Sequence, residues 1–370
     1  MTMKTILRLS IAAAFMSHVA YAVPTDIDGF SQAYQQYNLS VDSNNNQDTL
    51  KYAQQTYALG QVKFGKGSLD SGKLAINWAN ALVNESKRNH NGRIIEDTAT
   101  LQAQKLFESA LRVYRNNVAD NDIALIDPLV GLAQTTANDK YAKDLLFEAI
   151  SAAEKADNLL TVAEVKLIAF HRLSGNEYYT RTVRGFVMDA NDIYVNKLPE
   201  NAIKRVNSTY LVGALYAAMN RPNDATPLLL EVIKQYQALP YSHPYELHAH
   251  ALLVTLYEQQ GKSNKATEHC VAIGKMTPWD DQQEQTPLFR KPPNYPRSYA
   301  KRGKDGWVQV EFTVDEHGFV KSPEIIDSKG GYQFERESIE ALTQWRYAPK
   351  FVDGKPTSAK SKVQLEFTLG

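Results

Sequence analysis

Gly306-Trp307-Val308-Gln309-Val310-Glu311-Phe312-Thr313-Val314 is the stretch whose reading decides the C-terminal fold. Val308, Val310, Phe312 and Val314 alternate with Gln309, Glu311 and Thr313, the period-two pattern of a strand with one buried face. Asp315-Glu316-His317-Gly318 follows and ends on a glycine that can take positive φ, so the chain should fold back as a hairpin. Pro323 interrupts the returning segment 319–328. A proline cannot donate to a ladder, so that strand is bulged or lies at an edge.

Working outward, Phe334, Ser338, Ala341, Leu342 and Trp345 fall on one helical face over residues 333–345. Val363, Leu365, Phe367 and Leu369 then alternate through a closing strand. The order strand, strand, helix, strand predicts a small α+β domain: a three-stranded antiparallel sheet with a helix on one face and two unpaired edges. An open edge is what an extended peptide needs for β-strand addition, with backbone groups giving affinity and alternate side chains selectivity. The other reading of the last strand is a plain edge with Lys362 and Glu366 as guarding charges.

Upstream, residues 30–276 read as nearly continuous helix broken by polar turns. Helical spacing recurs at 50–59, 74–83, 98–114, 142–153, 162–173, 202–219, 225–236 and 245–260. Turns fall at Lys66-Gly67, Asn91-Gly92, 137–139, 174–176, 221–223 and 261–264. Self-comparison finds Leu215-Tyr216 with Ala225 repeated as Leu256-Tyr257 with Ala266, a shift of 41 residues. Leu129-Val130-Gly131 recurs as Leu211-Val212-Gly213, two such periods apart. The predicted architecture is an all-α helical-repeat (tetratricopeptide-like) domain over 23–281, a linker at 282–293, and the α+β domain over 294–370. An irregular all-α domain is the alternative to the repeat. Helical hairpins of this kind bury their apolar faces by stacking and offer a groove to a protein partner.

Residues 1–22 read as a signal peptide: Lys4 and Arg8, an apolar run, then Ala20-Tyr21-Ala22 as the cleavage pattern. The run is well short of the roughly 20 residues that span a bilayer, so cleavage and export are expected, with an uncleaved anchor as the alternative. Lys plus Arg and Asp plus Glu both number 41, and this zero net charge gives no pull toward nucleic acid. Cys270 is the sole cysteine, so no disulfide framework is expected and a buried apolar role is.

Motifs for chemistry fail on context. The glycine-rich run Gly60 to Lys66 has P-loop spacing, but Gly67 stands where Ser or Thr is required and a helix precedes it. His243, His248 and His250 cluster with Glu246, yet His248 and His250 point to different sides of a helix, so the reading is structural rather than metal-binding. No nucleophile or metalloprotease motif occurs, and the expectation is a non-enzyme without cofactor, metal or small-molecule substrate.

The C-terminal residues resemble the TonB family C-terminal domain. The motif residues are Tyr295-Pro296, then Trp345-Arg346-Tyr347 with Pro349, then the closing strand. The resemblance implies a periplasmic protein of a Gram-negative envelope acting in TonB-dependent energy transduction. Its last strand, Ser361, Lys362, Val363, Gln364, Leu365, Glu366, Phe367, Thr368 and Leu369, would pair with the TonB box of outer-membrane transporters. ExbB and ExbD, or an anchored TonB, are the implied energised partners. Lys291-Pro292-Pro293-Asn294 departs from the glutamine-bearing segment that usually precedes Tyr-Pro. A periplasmic envelope scaffold using the same fold for protein or cell-wall contacts is the second reading.

Overall fold

The computed structural model describes residues 27–86, 97–239, 243–277, 279 and 284–369. The expected signal peptide and the Asn91-Gly92 turn lie outside them. The chain divides into two compact units, Met1–Lys197 and Leu198–Gly370.

The first unit is helical: α1 (Ile27–Asp42), α2 (Asn46–Phe64), α3 (Leu69–Glu85), α4 (Thr98–Asn117), α5 (Ile126–Thr135) after a 3₁₀ turn, α6 (Asp139–Lys155), α7 (Leu159–Leu173) and α8 (Arg181–Lys197). Side-chain caps start most of them. Asn45, Ser68, Asp97, Asn138 and Asn158 each accept from the backbone N–H three residues on, satisfying a donor that the first helical turn leaves free. Apolar side chains of α3 to α8 form one core around Phe107, Leu129 and Leu146. Gly131 permits a close approach, since a Cβ there would stand 2.2 Å from the Phe107 ring.

The second unit begins with α9 (Ile203–Ala218), α10 (Pro222–Gln237), α11 (Pro244–Gln259) and α12 (Ser263–Met276). Leu215, Leu256, Ala225 and Ala266, the repeated residues, are all buried in it. The period is visible in the helix starts: α4, α6, α8, α10 and α12 begin at residues 98, 139, 181, 222 and 263, spaced 41 or 42 apart. The helical part is therefore a repeat. Gly60 to Phe64 close α2 and residues 65–67 turn into α3, so the glycine-rich run joins two helices.

The α+β part follows: α13 (Arg297–Ala300), β1 (Gly306–Val314), β2 (Val320–Lys329), α14 (Tyr332–Leu342), β3 (Lys350–Val352), β4 (Lys355–Thr357) and β5 (Ala359–Phe367). The main sheet is antiparallel in the order β2-β1-β5, and β3 pairs with β4 as a separate hairpin. α14 packs on β1 and β2. The predicted helix is shorter than expected, ending at Leu342, so Trp345 lies beyond it in the chain that leads to β3. The last strand is shifted: β5 starts at Ala359, and Thr368 and Leu369 follow its end.

Candidate peptide-pairing edge and its anchorage

The central strand alternates as its sequence dictates, with Val308, Val310, Phe312 and Val314 buried and the residues between them half-buried. Its two neighbours differ. β2 pairs with register breaks between Gln309 and Val310 and between Glu311 and Thr313, Ser322 takes φ 46°, and Pro323 sits inside the strand. β5 pairs without a break from Gly306 opposite Phe367 to Val314 opposite Ala359. Its outer side carries no strand among the described residues.

Along β5, Val363, Leu365 and Phe367 point into the core. Lys360, Lys362, Gln364 and Glu366 are exposed, and Ser361 is half-buried. Gln364 Oε1 accepts from Gln309 at 2.8 Å, and Lys360 Nζ lies 2.8 Å from Glu311. The hydrogen bond to that carboxylate and its charge hold the Lys360 ammonium above its usual pKa.

The motif aromatics make the core that stiffens this edge. Tyr295 presents its ring edge to Phe334 and Phe367, with centroids 5.4 and 6.0 Å away, and its hydroxyl donates to the Lys304 carbonyl at 2.5 Å. Pro296 precedes α13 as its cap. Trp345 is fully buried and donates from Nε1 to the Lys291 carbonyl at 2.8 Å, which ties the chain before Tyr295 to the chain after α14. Tyr347 is buried against Phe312, and burial raises its phenol pKa well above the ordinary value.

Arg346 stands apart from these aromatics. It is 1% exposed, yet it faces α11 and α12 rather than the sheet core. Its guanidinium bonds the Glu258 carboxylate of α11, donates to Thr267 Oγ1 of α12 at 2.7 Å, and donates to the His317 carbonyl in the β1–β2 turn at 2.9 Å. The Phe319 ring lies 3.7 Å beneath it. Glu258, Thr267 and Phe319 are functional neighbours that sequence reasoning missed, since 88 residues separate Glu258 from Arg346 and no local spacing links them. Residues 284–293, the described part of the expected linker, are bonded here too: Leu288 and Phe289 donate to the Arg346 carbonyl.

The histidines fall in the same helix pair. His243 caps α11, and His250 on α11 meets His269 on α12 with their Nδ1 atoms 2.8 Å apart. Burial lowers the pKa of each to about 4, and their mutual repulsion adds to this for His250. Among the described residues no group of three or more metal-ligating side chains comes together.

Residues 291–369 match the family described as Gram-negative bacterial TonB protein C-terminal. Protein TonB of Vibrio cholerae is 31% identical over 77 residues, covering 21% of this chain and 32% of that protein. Protein TonB of Pseudomonas aeruginosa is 36% identical over 83 residues, covering 22% of this chain and 24% of that protein. A solution NMR structure of the Pseudomonas aeruginosa TonB CTD is 29% identical and covers 24% of this chain and 90% of that one, with a TM-score of 0.22. The chain thus spans no more than 32% of the length of these curated relatives. Residues 291–369 are thus similar to TonB C-terminal domains, and they follow a helical repeat.

Proposed function

We propose that the protein is a non-enzymatic adaptor in TonB-dependent energy transduction. β5 takes an extended segment of the TonB-box kind from an outer-membrane transporter as an added strand, and the helical repeat docks a protein partner. The observation that carries this reading is the unbroken, unpaired edge of β5 in a domain of the TonB C-terminal family. A strand laid there gains backbone hydrogen bonds along the edge, and it meets Lys360, Lys362, Gln364 and Glu366 on the exposed face. Ser361 to Leu369 are the residues proposed to hold it, with Thr368 and Leu369 extending the edge past β5.

The proposed location is the periplasm, reached by cleavage of the expected signal peptide. No helix among the described residues is long and apolar enough to cross a membrane. Energy then comes from an anchored partner, ExbB and ExbD or a membrane-held TonB, engaged through the helices.

The test is NMR titration of the chain with synthetic TonB-box peptides. Shifts concentrated in 359–369 support the reading, and a folded chain with no shifts there defeats it.

A further inference from the structure

Arg346 belongs to the TonB motif, yet its guanidinium serves the helices. Removing a guanidinium from water costs several kcal/mol unless a counter-charge and hydrogen bonds replace the lost hydration. Glu258, Thr267 and the His317 carbonyl supply them from three different elements. The planar, multi-donor group fixes direction as well as charge, which a lysine could not do.

Independent contacts crowd the same place. Leu288, Phe289 and Ala348 pack against the hydrophobic core of α9 to α12. Gly274 of α12 lies under Pro349, where a Cβ would stand 2.4 Å from the proline carbonyl oxygen. Gly318, at φ 83°, brings the β1–β2 turn against Tyr347 and Cys270, and a Cβ there would stand 2.1 Å from the Tyr347 carbonyl oxygen. α12 also touches both β3 and β4. Three separate parts of the α+β domain therefore rest on one helix pair: the β1–β2 turn, the Trp-Arg-Tyr segment and the β3–β4 hairpin.

This support leads directly to the open edge. Ala359 begins β5 opposite Val314, the last residue of β1. Ser358 donates to Glu316 at 3.0 Å, which ties the start of β5 to the turn whose His317 carbonyl receives Arg346. From β5 to α11 and α12 the path runs through one turn and one side chain.

We propose that Arg346 is a coupling residue that fixes the peptide-pairing sheet to the last helix pair. A peptide held on β5 is then held by α11 and α12 as well, and a pull on that strand is borne by the repeat rather than by a tethered module. The peptide half of this statement rests on the proposed function; the coupling does not.

Hydrogen exchange of the full chain in increasing denaturant, read by mass spectrometry, tests it. In the wild-type chain, peptides from α12 and from the 315–319 turn lose protection together. In the paired variant Arg346→Met with Glu258→Gln, which leaves no orphaned buried charge, α12 opens at least about tenfold more readily while β1 keeps its protection. Adding a TonB-box peptide slows exchange in α12 of the wild-type chain and not of the paired variant, a response that a merely stabilising arginine would not give. Separate opening of α12 and the turn in the wild-type chain overturns the coupling, and that measurement decides even if the variant misfolds. Joint opening in the paired variant overturns the role of Arg346. Joint opening in a wild-type chain whose exchange an added TonB-box peptide leaves unchanged throughout, β5 included, keeps the coupling and removes the uptake reading.

Discussion

The two edges of the β2-β1-β5 sheet share a central strand and nothing else. β2 meets β1 with two register breaks, a residue at positive φ and a proline, and it exposes Ile325 and Ile326. Each irregularity bends or interrupts the row of backbone groups that another strand would need, a common way of closing an edge. β5 meets the same strand in unbroken register and leaves its outer row straight. A protein under pressure only to avoid aggregation would blunt both edges. A regular outer row is what the proposed peptide pairing on β5 needs.

The largest expected effect breaks that contrast directly. Leu365→Pro removes an N–H from β5 and a buried side chain from the core, at a cost of about 3–5 kcal/mol. Peptide pairing should be lost, with circular dichroism showing whether the fold survives. Ile326→Pro falls on a residue that the β1–β2 register skips, so it should change peptide affinity by less than about twofold. Equal losses from the two substitutions would show that the edges do not differ in use.

Next in size is the support beneath the sheet. Arg346→Met alone leaves the Glu258 carboxylate buried without its partner, which should destabilise the second unit by about 3–5 kcal/mol. Denaturant unfolding can be followed by tryptophan fluorescence, because Trp279, Trp307 and Trp345 of the four tryptophans lie in that unit. The paired Arg346→Met, Glu258→Gln variant should recover part of the loss. If the single change costs nothing, the buried ion pair does not support the sheet.

A smaller effect follows from pH. His250 and His269 can share one proton between their Nδ1 atoms but cannot both be charged 2.8 Å apart, and the Tyr257 ring stacked on His269 excludes water from one side. Their folded pKa values, about 4, lie below the ordinary value of 6.5, so the unfolded chain binds more protons in between. The stability they confer is complete above about pH 6.5 and is lost as pH falls toward 4. The loss from pH 7 to pH 5 should be on the order of 2 kcal/mol. His250→Phe with His269→Leu should flatten this dependence in a thermal-denaturation series. A slope unchanged by the substitutions would assign the acid sensitivity elsewhere.

These neighbours mark where sequence reading stops. The alternation in 306–314, Pro323 as the sign of an edge, and the 41-residue period are local or repetitive signals, and the structure repeats each of them. α5 lay inside the stretch read as nearly continuous helix but showed no period of its own, because eight of its ten residues are buried and no polar face sets one. α12 lay inside the same stretch without a period of its own, because its buried face is Ala266, His269, Cys270, Ile273 and Gly274, small and partly polar residues. The β3–β4 hairpin carried a readable sign in Asp353-Gly354, both at positive φ, a turn pair that suits tight hairpins. Of the candidate site, the position of β5 was legible to within two residues at each end. The partner of Arg346 was not, because its counter-charge comes from a helix far away in the chain.

The smallest effect sharpens the comparison without disturbing either strand. Lys360 is exposed and leans on Glu311, a residue of the strand that both edges share. An exposed pair of this kind adds little to stability, so Lys360→Ala should leave the unfolding midpoint unchanged. Its remaining role is at the edge: beside Lys362 it places positive charge where an added strand would run. Peptides with a carboxylate on that face should lose affinity by up to about threefold, more at low than at high salt, while neutral peptides should bind as before. An equal loss for both would mean that β5 reads only backbone, and that selectivity among partners is set by residues other than the exposed lysines.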